Sequence, residues 1–179
     1  MKNVVFMMNV DLGREGRFSS SRSNPYKYSI DSWKRWCDKH DCELFVLTEE
    51  VINHDVMGIC WQRWYIFDLL ESNGIEYNQI LSVDADTIVH PDCPNFFEMT
   101  DNKFTVVEFD GSWDWVLRSQ ESYSKYVFNN HKLKEWWKYF DSGFWIVNKS
   151  HKSFAKKMTD FYHSNSELLI EMQDKFLTG

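Results

Sequence analysis

The stretch NQILSVDADTIV, residues 78–89, decides how this sequence of 179 residues is interpreted. Its apolar part predicts a buried strand, and Asp84 and Asp86 follow that strand directly. Alternation along an extended chain places both carboxylates on the same side, with their Cα atoms roughly 7 Å apart. Such a pair can hold Mn²⁺ or Mg²⁺ from one side and leave the ion's other positions to water and ligand phosphates. The structural alternative is a solvated turn in which Asp84 caps the backbone.

Apolar strand patterns alternate with helical patterns on both sides of this stretch. Strands are predicted at residues 3–10, 43–48, 79–83, 104–109 and 143–147. Helices are predicted from the Asn24-Pro25 start signal through Cys37, at 59–72 with Asn73-Gly74 as its end, from the Ser150 cap through Tyr162, and at 166–176. The inner face of the third helix is predicted to carry Phe154, Met158, Phe161 and Tyr162. The alternation predicts an α/β chain of one main domain, with a mostly parallel, Rossmann-like central sheet flanked by helices.

Polar residues follow three of the predicted strands. Asn9 and Asp11 follow the first, Asp84 and Asp86 the third, and Asp110 the fourth. Ligands of open α/β sheets bind beyond the carboxyl ends of the strands. We therefore expect the functional site at this edge of the sheet.

Charge and composition exclude several functional classes. Twenty Lys and Arg against 27 Asp and Glu give a net charge of −7, which disfavours a nucleic-acid partner. No apolar run approaches the ~20 residues of a membrane span, and the first residues do not form a signal peptide. The four cysteines form no CxxC pair, which indicates free thiols in a reducing compartment. We expect a cytoplasmic protein without a membrane span.

The segment VDADTI, residues 83–88, also fits the Asp-x-Asp-x-Thr pattern of haloacid-dehalogenase-like phosphatases. In that family the first Asp, here Asp84, is a nucleophile towards phosphate. Such an enzyme would need a second acidic pair after a later strand. Asp110 and Asp114 come only 24 residues after Asp86, which leaves too little chain for the intervening elements. The phosphatase stays an alternative.

An ordered set of features between residues 3 and about 163 resembles the GT-A glycosyltransferases, the DxD nucleotide-sugar enzymes. The features are MNVD at 8–11, WQRWY at 61–65, NQILSVDADTIV at 78–89 and FDSGFWIVN at 140–148. The resemblance implies a GT-A nucleotide-diphospho-sugar transferase fold, with a nucleotide-binding half at about 1–90 and an acceptor half at about 91–179. Compact members of this kind occur in bacteria and in large DNA viruses, and a viral member would act in the host cytoplasm.

The resemblance also implies an activity. The chain would be a metal-dependent glycosyltransferase that moves a sugar from a nucleotide sugar, a UDP-sugar by preference, to an acceptor hydroxyl of a glycan or glycoprotein. A nucleoside diphosphate is a poor leaving group until its developing charge is neutralised, which Mn²⁺ or Mg²⁺ can do. A non-catalytic nucleotide-sugar or glycan binding module is a second alternative.

Donor-side roles follow from the same resemblance. Asp86 is assigned as the main metal ligand, and Asp84 to the metal or to the ribose. Asn9 and Asp11 would contact the uracil or ribose, or else cap their loop. Arg63 lies on an apolar helical stripe, so it points towards the sheet and pairs with the diphosphate or with Asp84, or else extends past the helix end to water.

Nine aromatic residues lie within the 28 residues from Trp113 to Phe140. In a GT-A enzyme this segment forms the acceptor side, where flat rings can stack on a sugar. Trp113 and Trp115, with Asp110 nearby in sequence, are the candidate acceptor surface. The alternative is a small second core beneath a loop-rich region.

The candidate catalytic residues are Asp141 and Asp174. Asp141 stands where the family has Asn in contact with the donor sugar, and it could instead cap the backbone before Gly143. Asp174, or Glu171 in its place, would be the acceptor base. Because the sequence ends at Gly179 in mid-element, we also expect a C-terminally incomplete chain, which leaves inversion or retention undecided.

Overall fold

The computed structural model describes residues 1–11, 26–108, 111–131 and 134–177, with the backbone alone at 136 and 173–177. Its sheet has five strands: β1 Lys2–Met8, β2 Glu43–Leu47, β3 Tyr77–Asp84, β4 Thr105–Glu108 and β5 Phe140–Asn148. The helices are α1 Lys27–Lys39, α2 Ile59–Gln62, α3 Ile66–Ser72, α4 Trp113–Tyr126, α5 Lys152–Ser164 and α6 Ser166–Leu177. All five predicted strands are confirmed, as is the α/β class.

The strand order is β2-β1-β3-β5-β4, and the sheet is mixed. β1 is parallel to both β2 and β3, whereas β5 is antiparallel to both β3 and β4. The expected mostly parallel sheet is therefore not confirmed. After β4 and α4 the chain returns to the edge where β4 ended, with Phe140 opposite Glu108, so β5 must run backwards between β3 and β4.

The sheet is buried on both faces, because successive side chains of a strand point to opposite sides. One face packs under α3 and α5 and contains Val4, Phe6, Ile66, Phe67, Leu70, Tyr77, Ile80, Trp145, Val147 and Ala155. The other packs under α1 and the segment after β3 and contains Val5, Met7, Trp33, Trp36, Cys37, Leu81, Val83, Val89, Phe97 and Ile146. Because both faces of the sheet are covered, consecutive residues of β1 are buried, which explains why this strand is apolar at consecutive positions.

The predicted helix at 59–72 is broken by a 3₁₀ turn at Arg63–Tyr65. Gln62 is fully buried, and its side-chain oxygen accepts bonds from the backbone N–H groups of Val51 and Ile52, while its amide donates to the carbonyl of Met57. These contacts with the preceding loop stabilise the tighter turn against a continuous helix. The predicted end at Gly74 is confirmed, with φ at +69°.

The predicted inner face of α5 is wrong in part. Ala155, Thr159 and Tyr162 are buried, whereas Phe154 is 43% exposed. Asn148, rather than Ser150, caps the 3₁₀ turn that leads into α5, by accepting a hydrogen bond from the backbone of Ser150. The Asn24-Pro25 start signal of α1 lies outside the described residues.

Among the described residues, no helix combines the length and the apolar character that crossing a membrane would require.

Candidate functional site

The predicted donor residues gather at one edge of the sheet. Asp84 is the last residue of β3 and pairs with Met8 of β1, so Asn9 follows next to it. Asn9 is held in place because its backbone N–H donates to the carbonyl of Leu47, 2.8 Å away. Asp141 enters the same edge from β5, which runs in the opposite direction. The antiparallel direction of β5 thus brings Asp141 beside Asp84.

β5 has an irregular register at this edge. Trp145 lies opposite Val106, yet Asp141 lies opposite the next residue, Val107, so residues 142–144 bulge relative to β4. Bulges of this kind are frequent next to functional sites because they redirect the backbone. Here the bulge turns the carbonyl of Ser142 towards the helical layer and sets Gly143 against β3.

Gly143 leaves space for the Asp84 carboxylate. A Cβ at this position would lie 2.7 Å from Asp84 Oδ2 and 3.1 Å from Asp141 Oδ1. Two carboxylates therefore approach one point from two strands, and only glycine lets them do so without displacement.

Arg63 is the cation of the site. Its side chain is 11% exposed, and its guanidinium donates to Asp84 Oδ1 at 3.0 Å. A second nitrogen donates to the carbonyl of Ser142, and Nε donates to the carbonyl of Cys60 at 2.9 Å. The prediction that Arg63 points towards the sheet is confirmed, and of the partners considered the structure shows Asp84. The Arg63 charge is thereby used to orient one oxygen of Asp84.

Asp86 lies in the turn that follows β3, and its side chain is exposed. The turn is closed by Thr87, whose backbone N–H and hydroxyl both donate to the carbonyl of Asp84, at 3.2 and 2.7 Å. Within the described residues the Asp86 side chain has no hydrogen bond or ion pair. The Asp84 side chain is 42% exposed. Both carboxylates therefore face solvent at the edge where a ligand would bind.

Asp141 acts as a backbone cap in this structure. Its Oδ1 accepts a hydrogen bond of 2.7 Å from the N–H of Gly143. This bond is the local turn that the sequence left open as the alternative to sugar contact. The residue nevertheless lies beside Asp84, so its predicted place at the donor site is consistent with the geometry.

Asp11 lies on a surface depression of about 270 Å³ at the carboxyl ends of β1 and β2. Its lining residues are Val10, Asp11, Thr48, Glu49, Glu50 and His54. The ring and backbone N–H groups of His54 both lie 2.9 Å from Glu50 Oε2, and the hydrogen bond from the His54 side chain lowers the pKa of the Glu50 carboxyl. His54 was not among the predicted residues because nothing in its sequence context marks it.

Trp113 and Trp115 lie on the first turn of α4, a helix that the sequence patterns did not predict. Each is 52% exposed, and Val116 is the one buried residue of α4. This exposure disfavours the small second core and favours a surface. Asp110, the other predicted acceptor residue, lies outside the described residues.

The two candidate acceptor bases lie on α6. Glu171 is exposed, while only the backbone of Asp174 is described. α6 packs through Leu169 against Met57 and Tyr162, in a third and smaller apolar cluster. The roles of Glu171 and Asp174 as acceptor bases stay predictions.

The described residues contain no group of three or more His, Cys, Asp or Glu side chains that could hold a metal ion. A closed, all-protein metal site does not fit these residues. One oxygen of Asp84 and the exposed Asp86 carboxylate do fit Mg²⁺ or Mn²⁺, provided that ligand phosphates and water supply the other positions.

No family model matches the sequence, and no curated protein matches it. Among solved structures, the chain is similar to the crystal structure of a glycosyltransferase involved in the glycosylation of the major capsid of PBCV-1. The chain shares the fold of that structure. The TM-score is 0.51 at 12% sequence identity, and the match covers 85% of this chain and 63% of that chain. At this identity the likeness shows a shared fold alone and assigns no activity to this chain.

Proposed function

We propose that this chain is a metal-dependent glycosyltransferase that transfers a sugar from a UDP-sugar to an acceptor hydroxyl of a glycan or glycoprotein. The observation that supports it most is the fixed acidic pair at the end of β3. Asp84 is oriented by Arg63 and opposed by Gly143, and Asp86 stands exposed beside it. The likeness to the structure of a glycosyltransferase also supports the proposal.

The charge balance of the edge favours a bound cation. The carboxylates of Asp84 and Asp141 both lie against Gly143, Asp86 follows in the turn after β3, and the charge of Arg63 is already paired with one oxygen of Asp84. A diphosphate would be repelled by the remaining carboxylates without a divalent ion between them. Asp86 and Oδ2 of Asp84 would hold Mn²⁺ or Mg²⁺, which when bound neutralises charge on the leaving diphosphate.

The other donor residues have distinct tasks. The depression beside Asp11 would take the base and ribose, and Asn9, which follows β1 next to the end of β3, would contact the same part of the donor. Arg63 would orient Asp84, with which its guanidinium is paired. Asp141 would accept hydrogen bonds from the donor sugar while its Oδ1 holds the bulge.

The acceptor would bind on the other side of the site. We assign the exposed rings of Trp113 and Trp115 to a glycan, because flat apolar rings stack on the faces of sugars. Asp110, which is close to them in sequence, would also contact the acceptor. Asp174 or Glu171 would accept the proton of the acceptor hydroxyl.

The phosphatase alternative receives no support from the strand order. A second acidic pair after β4 would have to reach Asp84, but β5 lies between β4 and β3. Asp114 is also engaged with Arg118 at 3.0 Å. Asp84 itself is held by Arg63, which reduces its strength as a nucleophile.

Calorimetric titration of UDP with and without Mn²⁺ tests the proposal. We expect metal-dependent binding to the native chain and about tenfold or greater weakening in Asp86→Asn, because the substitution removes one ligand charge. Asp101→Asn is the matched control, since Asp101 is exposed at a left-handed position that Asn also favours. UDP binding that ignores both Mn²⁺ and Asp86 would contradict the proposed site.

A second assay separates the alternatives. Native chain that binds UDP should hydrolyse or transfer at least one member of a UDP-sugar panel. Binding without turnover would indicate the non-catalytic module. Phosphate release from a simple phosphomonoester, lost in Asp84→Asn, would instead indicate the phosphatase.

A further inference from the structure

The acidic turn is bonded to helix α1 through Thr87. The indole N–H of Trp33 donates to Thr87 Oγ1 at 3.0 Å, and that hydroxyl donates to the carbonyl of Asp84 at 2.7 Å. In these two bonds the Thr87 hydroxyl accepts one hydrogen bond and donates another, so that they form a continuous chain from Trp33 to Asp84. Such chains strengthen one another in a partly buried environment.

A second bond from α1 holds the other end of the turn. The backbone N–H of Val89 donates to Ser32 Oγ at 3.2 Å, and this hydroxyl donates to the carbonyl of Ser29 at 2.7 Å. Ser32 and Val89 are both buried. Two successive residues of α1 therefore hold the segment from Asp84 to Val89. Ser32 bonds directly to Val89, and Trp33 bonds to Thr87, which in turn bonds to Asp84.

Trp33 is itself held rigidly. It is 2% exposed, and its ring packs 5.7 Å from Trp36, 6.3 Å from Phe96 and 6.4 Å from Phe144. Phe144 directly follows Gly143, which faces Asp84. One indole thus contacts helix α1, the acidic turn and the bulged strand.

We infer that Trp33 is a positioning residue for the metal and diphosphate, acting through Thr87. The reason is that Asp86 has no side-chain partner within the described residues, so among these it is the backbone turn that sets where its carboxylate stands. Loss of the Thr87 hydroxyl would leave the Trp33 N–H buried without an acceptor and would remove one of the two bonds that close the turn. The consequence for ligand binding depends on the proposed function, whereas the effect on the turn does not.

Two readouts and four variants test this inference. The variants are Trp33→Phe, Thr87→Val, Thr87→Ser and Trp36→Phe. Trp36→Phe is the matched control, because Trp36 is equally buried on α1 but its indole nitrogen has no hydrogen-bond partner in the described structure. Amide hydrogen exchange across residues 84–89 reports the turn, and titration of UDP with Mn²⁺ reports the ligand site.

We expect Trp33→Phe and Thr87→Val to raise exchange across 84–89 about fivefold and to weaken UDP binding about five- to tenfold, the size of one lost hydrogen bond. Thr87→Ser should restore native values in both measurements, since it keeps the hydroxyl. Trp36→Phe should lower the melting temperature while both readouts stay native.

Equal effects of Trp33→Phe and Trp36→Phe on the turn would overturn the inference, as would native exchange in Thr87→Val. If the native chain binds no UDP, the proposed function fails, and the exchange measurement alone decides the role of Trp33.

Discussion

The two sides of the central sheet differ in how they use apolar residues. On the β2-β1-β3 side, Val4 to Met7 are completely buried between two helical layers. On the β5-β4 side, the edge strand is short, Val107 is 48% exposed, and α4 buries a single residue. Asp84 and Gly143 stand at the border between the two sides.

The two sides differ in what they present: the parallel side holds the acidic residues in a packed setting, and the antiparallel side exposes aromatic rings. The parallel side holds the acidic pair through backbone pairing, Arg63 and the bonds from α1. On the antiparallel side Trp113 is 52% exposed, while Trp145 on the border is 1% exposed. The same residue type therefore serves as core in one place and as surface in the other.

The largest effect should come from the buried member of this pair. Trp145→Ala removes a ring that stacks 5.0 Å from Trp64, and we expect a loss of about 3–5 kcal/mol of unfolding free energy. Trp113→Ala should change the unfolding free energy by about 0.5 kcal/mol or less, as is usual for exposed positions. Urea unfolding followed by circular dichroism measures both. Similar losses in the two variants would show that the α4 side has a core of its own.

Two glycine variants, one beside Asp84 and one far from it, test the packing where the parallel and antiparallel sides of the sheet meet. Gly143→Ala should weaken UDP binding about tenfold, because the new Cβ would lie 2.7 Å from Asp84 Oδ2 and displace that carboxylate from Arg63. Gly74→Ala should leave the UDP affinity native and lower the stability, since its φ of +69° makes a side chain cost about 1 kcal/mol, with no atom of another residue within 4 Å. Calorimetry and thermal melting give the two values. Native UDP affinity in Gly143→Ala would contradict the packing argument.

On the open side, the acceptor assignment predicts a separable kinetic effect. Trp113→Ala should raise the acceptor KM about three- to tenfold, the size of one lost stacking contact, and leave UDP affinity unchanged. Steady-state transfer assays at fixed donor concentration measure it, with Tyr28→Ala as the control, since Tyr28 is 77% exposed on α1. A change in UDP affinity instead would move Trp113 to the donor side.

The smallest effect concerns a surface link between α3 and α5. Hydrogen bonds from Lys152 and Tyr77 lower the pKa of Glu71, so the carboxylate stabilises the fold above the pKa of an unfolded Glu, about 4.3, and this contribution is lost as the pH falls further. The melting temperature of Glu71→Gln should therefore lie below that of the native chain at pH 6, and the gap should narrow towards pH 3. Exposed ion pairs contribute little, so the gap will be small. A gap that widens in acid would reverse the sign of the argument.

Local patterns were sufficient to predict much of the fold and to place candidate residues at the end of β3. The five strands, α1 and α6 follow from apolar runs and helical spacing, which are set by neighbours in sequence. The inward direction of Arg63 also followed from its place on an apolar stripe. The break after Gln62 did not, because it depends on buried contacts with residues 51–57 that no local pattern reveals.

Long-range pairing decided the rest. The sequence alone determined that a buried strand leads into two acidic residues, Asp84 and Asp86, because apolar continuity followed by acidic residues is a local property of the chain. Only the tertiary structure decided that β5 runs antiparallel between β3 and β4, which brings Gly143 and Asp141 to Asp84. It also decided that Trp33, 54 positions from Thr87 in sequence, bonds to the acidic turn. The physical reason is that strand order and helix docking depend on which distant surfaces bury each other, and residue spacing does not encode that choice.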